Sequence, residues 1–400
     1  MNDPIEYAEQ RGRFGSFGGR YVPEPLWTPF EAVAQAYRDA MDDEDYHRRE
    51  GRWRQSRLGR PTPLTHLGAL SSEIGGAQLW AKREDLLDGG TFCITSALTQ
   101  ALIAERMEKR RLLGESATGD FGVALGSVGA ALGLDVTVFM RRAAIEQERL
   151  NAARMRRLGV ELVAVDAAGR GRSQAMAEAL RSYSISWDET FYATSSLASP
   201  APYPQMVGRA LSVIGEECKE QLRDENIEVE YAIAPVGSGS FAAGLFEALL
   251  DDEGPQIIGA QAGGGPETTR NSASLVRGRP GVYLGTHSLV LQDDEGQILA
   301  AHAEAPGLVM PVAGPQHARW LQEGRVHYVM VDDADALQAQ RRLARTEGIF
   351  ASRETGYGLA YALKLAPTLR SDQHILVGIS GTGLRGLGQD DEETEEGGIA

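Results

Sequence analysis

The chain has 400 residues, of which 42% are hydrophobic, and a formal net charge of −16 at pH 7. This length can bury one large core or, more typically, two domains. The acidic balance excludes a nucleic-acid-binding role, because phosphate backbones need basic partners. The two cysteines, Cys93 and Cys218, do not form the pattern of a disulfide framework, and no apolar run indicates a signal peptide or a membrane span. A cytoplasmic protein is therefore expected.

From residue 60 onward, short β-branched or apolar runs alternate with helical segments. Strands are predicted at 135–139, 161–165, 231–234 and 375–379, and helices at 94–110, 149–158 and 336–345. This alternation indicates an α/β fold with parallel sheets and helices on both faces. Ligands of such folds bind at the carboxyl ends of the strands, so the loops after strands are the candidate sites. The acidic residues at 389–400 predict a solvated, disordered tail.

The segment at 81–100 is the most informative part of the chain. It reads AKREDLLDGGTFCITSALTQ, which predicts a strand, a Gly-Gly turn and the start of a helix. This segment resembles the one that carries the pyridoxal phosphate (PLP) lysine in the tryptophan synthase β subunit family, where the turn reads GGAHKTN. Matching blocks also lie at 13–23, 59–65, 202–204, 314–317, 347–349 and 380–383, in the same order and with the same spacing. The resemblance covers nearly the whole chain.

The resemblance implies two three-layer α/β domains of the fold-type II PLP class, with a cofactor cleft between them. It implies an N-terminal domain of residues 1–58 and 92–210 and a C-terminal domain of residues 59–91 and 211–388. A homodimer is expected from it, together with an aromatic small-molecule substrate. An α-subunit-like protein is a further candidate partner. The acidic tail at 389–400 belongs to neither domain.

The position of the PLP lysine is Cys93 in this chain, and a thiol cannot form the Schiff base. Arginine cannot replace lysine in this role, because its guanidinium group stays protonated. The chain has only four lysines, at 82, 109, 219 and 364. Lys82 belongs to the strand before the turn, and Lys109 is predicted on the polar face of a charged helix. These observations predict that the protein uses no cofactor.

A second glycine-rich turn follows the predicted strand at 231–234 and opens a helix, so its backbone N–H groups are suited to bind an anion. The predicted anion-binding residues are Gly237, Ser238, Gly239 and Ser240. Tight packing is the alternative explanation for this turn. The resemblance places Phe241 at the family's asparagine and Phe92 at its phosphate-contacting histidine, and both changes disfavour a PLP phosphate.

Three polar positions of the family's pocket are retained. Glu115 matches the catalytic glutamate that handles protons, Glu354 matches the glutamate near the cofactor ring, and Ser380 matches the serine that hydrogen-bonds the pyridine nitrogen. A partly buried glutamate is a suitable general acid or base near neutral pH. Capping of a loop is the alternative role for Glu115.

The substrate loop has changed. Asp120 replaces a glutamine in the loop that binds the substrate carboxylate, and Val309 replaces an aspartate that handles the serine hydroxyl. Two like charges about 4 Å apart repel by roughly 4 kcal/mol at an effective dielectric constant near ~20. A serine-like substrate is therefore rejected unless Asp120 is protonated or points away. The other predicted substrate-binding residues are Phe92, Thr118, Gly119, Phe121, Ser196 and Ser380.

Cys93 has two interpretations. It precedes a predicted helix, whose N-terminal dipole lowers a thiol pKa, so a catalytic nucleophile is one of them. A small packing residue is the other, because no histidine stands nearby in sequence. The seven histidines show no metal-ligand spacing, so no metal site is predicted.

Three functional hypotheses follow. The first is a PLP-independent enzyme that condenses, cyclises or rearranges an indole-like or other aromatic small molecule, with Glu115 as general acid or base and an apolar cleft that orients the reactants. The second is a non-catalytic paralogue that binds a small molecule or an α-subunit-like partner. The third is a PLP enzyme that binds its cofactor without a covalent link.

Overall fold

The computed structural model describes residues 12–166, 173–250, 254–265 and 270–386. The predicted tail at 389–400 lies outside the described residues. Within the described ranges, no helix combines the length and the apolar character that a membrane span requires.

The strands are β1 (Arg13–Phe14), β2 (Phe17–Gly18), β3 (Leu64–His66), β4 (Gln78–Arg83), β5 (Arg111–Glu115), β6 (Asp135–Arg141), β7 (Glu161–Val165), β8 (Thr190–Ala193), β9 (Tyr231–Pro235), β10 (Gln256–Gly264), β11 (Arg279–Tyr283), β12 (Thr286–Val290), β13 (Val326–Asp332) and β14 (His374–Ile379). The α-helices are α1 (Trp27–Met41), α2 (Glu44–Trp53), α3 (Gly68–Ile74), α4 (Cys93–Arg106), α5 (Asp120–Leu132), α6 (Arg142–Gln147), α7 (Arg149–Arg157), α8 (Ser173–Ser184), α9 (Tyr203–Leu211), α10 (Val213–Asp224), α11 (Ser240–Phe246), α12 (Ser274–Arg277), α13 (Pro315–Gln322), α14 (Asp333–Glu347) and α15 (Arg353–Leu365).

The larger sheet has six strands in the order β13-β10-β9-β14-β4-β3. Its strands pair in parallel, except that β3 runs antiparallel to β4. In β9, Ile233 packs into the same apolar cluster as Leu359 of α15, whereas Ala232 and Ala234 pack with Leu245 of α11. Because successive side chains of a strand point to opposite faces, helices cover both faces of this sheet.

The second sheet has four parallel strands in the order β7-β6-β5-β8. Every residue of α4 from Cys93 to Ala104 is buried, so this helix lies inside the molecule rather than on its surface. The predicted α/β fold with helix-covered parallel sheets is confirmed. The proposed domain boundaries remain a prediction.

A third, antiparallel sheet has the order β1-β2-β12-β11 and is not predicted by the sequence. Two of its strands have only two residues each, which is too short for any hydrophobic period to show. It joins the segment near residue 15 to the segment near residue 287 through the pair of Gly18 and His287.

The architecture brings three strand ends together. Strand β5 ends at Glu115, β9 ends at Pro235 and β14 ends at Ile379, and the residues that follow each of them line one cavity. The start of α4 lies at the same cavity, because the turn before it is held against the end of β14. This is the place where an α/β fold positions a ligand.

Candidate functional site

The central cavity has a volume of about 100 Å³. The sequence-predicted residues that line it are Phe92, Cys93, Thr118, Asp120, Phe121, Gly237, Ser238, Gly239, Ser240, Glu354 and Ser380. Thr91, Ser116, Ala117, Ser195, Phe241, Leu308 and Ser352 complete much of its wall. Residues from distant parts of the sequence therefore meet here as the motifs predict.

The turn before α4 is fixed by backbone contacts. Gly90 has a φ of +76°, and a Cβ there would lie 2.6 Å from Thr382, so only glycine fits this turn. The N–H of Phe92 donates to the carbonyl of Ser380 at 3.2 Å, and the N–H of Cys93 donates to Oγ1 of Thr91 at 3.3 Å. Cys93 is thereby held as the first residue of α4 with its side chain at the cavity.

Among the described residues that line the cavity there is no lysine. Lys82 is buried elsewhere, where its Nζ donates to the carbonyl of Thr62 at 2.8 Å and to Glu217 at 2.9 Å. The prediction of Lys109 on the polar face of a charged helix is wrong. Helix α4 ends at Arg106, and the buried Lys109 donates to the carbonyls of residues 187 and 188 at 2.7 and 2.8 Å.

His317 contacts the backbone of the glycine-rich turn at 237–240. Nε2 of His317 lies 2.8 Å from the carbonyl of Gly239, and Nδ1 lies 2.7 Å from the hydroxyl of Tyr328. Burial lowers the pKa of His317 to about 4, so the ring is neutral near pH 7. Gly239 has a φ of +92°, and a Cβ there would lie 2.2 Å from the histidine ring. The turn therefore depends on glycine at this position.

Aromatic rings form one side of the cavity. The rings of Phe92 and Phe241 have centroids 5.3 Å apart at an angle of 50°. Phe121, at the first turn of α5, is buried and also lines the cavity. Part of the cavity wall is thus apolar and aromatic, which suits a planar ligand.

A buried arginine that the sequence analysis does not identify controls the charge of the cavity. Arg385 donates two hydrogen bonds to Glu354, at 2.5 and 2.6 Å, and its Nη1 lies 3.0 Å from Oδ2 of Asp120. Burial alone would raise the pKa of Glu354, but the charge and hydrogen bonds of Arg385 outweigh it and lower that pKa. No motif points to Arg385, because it follows the predicted glycine-rich block as an ordinary loop residue.

The carboxylate of Asp120 is held by neighbouring side chains and is not turned to solvent. Its Oδ2 accepts from the hydroxyl of Thr118 at 3.1 Å and its Oδ1 accepts from Nδ2 of Asn151 at 2.8 Å. Together with the ion pair to Arg385, these contacts compensate its charge. Arg385, which the sequence does not point to, therefore weakens the predicted repulsion between Asp120 and an anionic substrate.

Four predicted site residues do not line the central cavity. Glu115 is 1% exposed, and its carboxylate accepts from the hydroxyls of Tyr192 at 2.7 Å and Thr194 at 3.0 Å. Ser196 closes a local turn through its contacts with Ala198. The remaining two are Gly119, which precedes α5 with a φ of +81°, and Val309, which lines a neighbouring cavity.

One cluster of possible metal ligands lies away from the cavity among the described residues. Side-chain atoms of His302, Glu304 and Asp333 lie within 4.8 Å of one another. Nε2 of His302 is 3.2 Å from Asp333, which also accepts a short hydrogen bond from Tyr357. These contacts account for the grouping without an ion. His302 and Glu304 lie two residues apart in the sequence, and Asp333 comes from a later segment.

Comparisons with known proteins show the chain's relatives. The family model described as "Pyridoxal-phosphate dependent enzyme" matches residues 55–381. The tryptophan synthase beta chain of Stenotrophomonas maltophilia (strain R551-3) is 41% identical over 379 residues, which cover 94% of each chain. The tryptophan synthase beta chain of Methylibium petroleiphilum is 40% identical over 94% of this chain and 92% of its own length.

A solved structure shows the same fold at low identity. The structure of maize serine racemase superposes with a TM-score of 0.63 and 17% sequence identity, covering 90% of this chain and 98% of that chain. The family match corrects one expectation. The prediction that no cofactor is used, based on Cys93, is wrong, because residues 55–381 match the family of pyridoxal-phosphate dependent enzymes and the two tryptophan synthase beta chains are 41% and 40% identical over 94% of this chain. The chain belongs to the family of pyridoxal-phosphate dependent enzymes.

Proposed function

We propose that this chain is an enzyme that holds PLP in the central cavity without a covalent bond to a lysine and acts on an indole-like or other aromatic small molecule. The observation that carries the proposal is the lining of the cavity. It combines a glycine-rich turn and Ser380 with an aromatic wall, and it includes Cys93, the position that the resemblance assigns to the family's lysine. When bound, PLP supplies an electron sink for bond making and breaking next to an amine.

The turn at 237–240 would hold the phosphate. Its glycines keep the backbone close to the cavity, since a Cβ on Gly237 would lie 2.8 Å from the carbonyl of Gly307. The first N–H groups of a helix have no partner within the helix, so those at the start of α11 are suited to a phosphate. Hydrogen bonds from this turn would replace part of the binding energy that a covalent link provides.

Ser380 would hold the ring nitrogen. Its Oγ lies 3.2 Å from Oγ of Ser352 and 3.4 Å from Oγ1 of Thr355, and either hydroxyl of each pair can be the donor. The hydroxyl hydrogen of Ser380 can therefore rotate toward a ring nitrogen while the oxygen still accepts from a neighbour. This arrangement suits a neutral pyridine nitrogen.

The aromatic pair would adjust when a ligand enters. A volume of about 100 Å³ is below the range of about 300–1,000 Å³ that is usual for small-molecule sites. Phe92 and Phe241 are neighbours in the cavity lining. Rotation of their side chains would therefore enlarge the cavity. An aromatic substrate would then pack against these rings.

The role of Glu115 as general acid or base remains a prediction within this proposal. Its carboxylate is held by two hydroxyls behind the cavity wall, and the adjacent Ser116 is the nearest residue in sequence that lines the cavity. Replacing Glu115 with Gln keeps the shape and removes the titration, so turnover of an aromatic substrate should fall by at least ~10²-fold. Unchanged turnover would remove Glu115 from the mechanism.

The proposal is tested by cofactor retention. The purified protein is mixed with PLP, desalted, and examined by absorbance and by mass spectrometry after borohydride reduction. We expect the parent protein to retain a chromophore without gaining covalent mass, and the Cys93→Lys variant to gain the mass of the cofactor at residue 93. Pyridoxal, which has no phosphate, should bind at least ~10-fold more weakly because the turn loses its anion.

Two controls sharpen this test. A Cys93→Gln variant introduces a longer polar side chain without an amine, so it should not gain covalent mass. A Cys218→Ser variant changes the other buried cysteine, which does not line the cavity, and should bind PLP as the parent does. A parent protein that retains no PLP under any condition contradicts the proposal.

We also propose that the chain forms a homodimer, as the resemblance implies. Phe350 and Leu384 are 53% and 52% exposed and lie close together, because the N–H of Gly383 donates to the carbonyl of Phe350 at 2.7 Å. Two large apolar side chains at one exposed place suit an interface. Light scattering of the parent and of a Phe350→Asp variant tests it, and a monomeric parent contradicts it. An α-subunit-like partner is a separate proposal that co-purification tests.

A further inference from the structure

A second cavity lies beside the central one and has a volume of about 520 Å³. Ala117 lines both cavities, so they are neighbours. The apolar part of the second cavity is formed by Tyr283, Leu284, Ile298, Leu299, Pro306, Val309 and Met310. This volume is within the range that small-molecule sites occupy.

One buried carboxylate lines this cavity without satisfying its hydrogen bonds. Glu148 is 6% exposed, and its Oε2 has no hydrogen-bond partner among the described residues. A buried acceptor that is left unpaired costs about 1–3 kcal/mol relative to a paired one. The nearby carboxylates of Asp120 and Glu354 both have partners. Glu148 therefore differs from them in lacking a donor.

The surroundings of Glu148 favour a cation as this missing donor. Arg385 is near enough to act on the charge of Glu148 and pairs with Glu354 and Asp120, but its Nη1 makes no hydrogen bond to the described residues and does not satisfy Glu148. Burial raises the pKa of Glu148 to about 7, the charge of Arg385 opposes the rise, and Asp120 and Glu354 add to it. Arg353 also lowers this pKa, and Arg141 lines the cavity. Asp120 and Glu354 pair with Arg385, whereas Oε2 of Glu148 has no hydrogen-bond donor among the described residues.

We propose that the second cavity binds a small apolar molecule that carries an ammonium group, with the ammonium N–H donating to the carboxylate of Glu148. The apolar body would lie against Tyr283, Leu284 and Met310. This inference extends the proposed function by naming the ligand class of a neighbouring cavity. Its test needs neither PLP nor turnover, so either proposal can fail without the other.

The test compares three probes of similar size by calorimetry: N,N-dimethyl-2-phenylethylamine, 2-phenylethanol and 3-phenylpropanoate. The tertiary amine is chosen because it cannot condense with an aldehyde, so bound PLP cannot capture it. At pH 8 we expect the amine to bind at least ~10-fold more tightly than the alcohol, because an ionised carboxylate pairs with its cation. The anion should bind most weakly.

Affinity for the amine should depend on pH. The amine stays protonated between pH 6 and pH 8, since such groups titrate near 10. Glu148 loses its charge as the pH falls through about 7, so affinity should fall by roughly 10-fold from pH 8 to pH 6. The alcohol should show no such change.

Matched variants complete the design. Glu148→Gln should lower amine affinity at pH 8 by about 10-fold and remove its pH dependence, with alcohol binding unchanged. Glu146→Gln removes the same charge from an exposed position of α6 and should behave as the parent. The proposal is overturned by equal binding of the amine and the alcohol at pH 8, by preference for the anion, by no binding, or by a pH dependence that persists in Glu148→Gln.

Discussion

At the scale of single residues, Arg385 determines the electrostatics of the central cavity. It is a buried cation that neutralises Glu354 through two hydrogen bonds and pairs with Asp120 as well. A buried ion pair is costly to break, because the partner that remains has a charge without compensation. Compensation of the charge on Glu354 therefore depends on Arg385, which lies outside every recognised motif.

Replacing Arg385 with Met should lower the free energy of unfolding by about 3–5 kcal/mol. The reason is that Glu354 would remain buried without a cation, with only backbone N–H donors such as that of Gly307, at 2.9 Å. Urea denaturation measures the loss. Adding Glu354→Gln should restore part of it by removing the buried charge.

Arg370 provides the control for this prediction. It pairs with Asp372 on the surface, where solvent screens ion pairs and they contribute little to stability. Arg370→Met should therefore change the stability far less than Arg385→Met does. Equal losses in the two variants would show that burial of Arg385 has no special energetic role.

Much of the site could be predicted from the sequence, but its charge balance could not. The turn at 89–90, Cys93 and the turn at 237–240 carry local signals, because glycines with positive φ and strand-to-helix transitions leave a pattern in a few residues. Arg385 reaches the cavity from a segment more than 260 residues away from Asp120 in the chain. Such a pair leaves no local pattern.

At the scale of elements, a buried polar cluster connects β4 with α10. Lys82 of β4 donates to Glu217 and Gln221 of α10, at 2.9 and 3.0 Å. Arg60 also donates to Glu217, at 2.8 Å, and makes a short contact with Glu84. Since β4 leads into the turn that holds Cys93, this cluster positions one side of the cavity.

Replacing Lys82 with Met should lower the free energy of unfolding by about 2–4 kcal/mol. This loss is somewhat smaller than that expected for a buried charge left without any partner, because Arg60 still pairs with Glu217. Thermal and urea unfolding measure the effect. Lys219→Met, an exposed change on the same helix α10, should stay within about 0.5 kcal/mol of the parent. A loss of similar size in both variants would contradict the structural role of Lys82.

The bounds of the strands and helices show which structural features a sequence pattern predicts. Predicted strands at 161–165 and 375–379 correspond closely to β7 and β14, because continuous apolar runs between helices are typical of parallel sheets. The predicted helix at 94–110 ends earlier, at Arg106. Lys109 lies beyond that end and bonds to carbonyls across the fold, a tertiary contact that helical periodicity does not report.

At the scale of the whole molecule, two buried titratable groups give the stability an optimum in pH. His317 has its pKa lowered to about 4 by burial, so its contribution is present above pH 6.5 and is lost as the pH falls toward 4. Glu148 acts in the opposite direction. Its pKa is raised to about 7 by burial, so the folded state prefers the protonated carboxyl.

The sign for Glu148 follows from linkage. In the unfolded chain a glutamate titrates near 4.3, so between that value and about 7 the folded state binds more protons than the unfolded state. The contribution of Glu148 is complete at low pH and is lost as the pH rises through this window.

The Glu148→Gln variant has no proton to lose at this position. Its free energy of unfolding, relative to that of the parent, should therefore rise by about 1–2 kcal/mol from pH 5 to pH 8, allowing for partial solvent screening. Urea denaturation at the two pH values measures this difference. If the variant and the parent differ by the same free energy of unfolding at pH 5 and at pH 8, folding does not raise the pKa of Glu148. The unpaired carboxylate oxygen beside the second cavity would then carry no energetic penalty when it is charged.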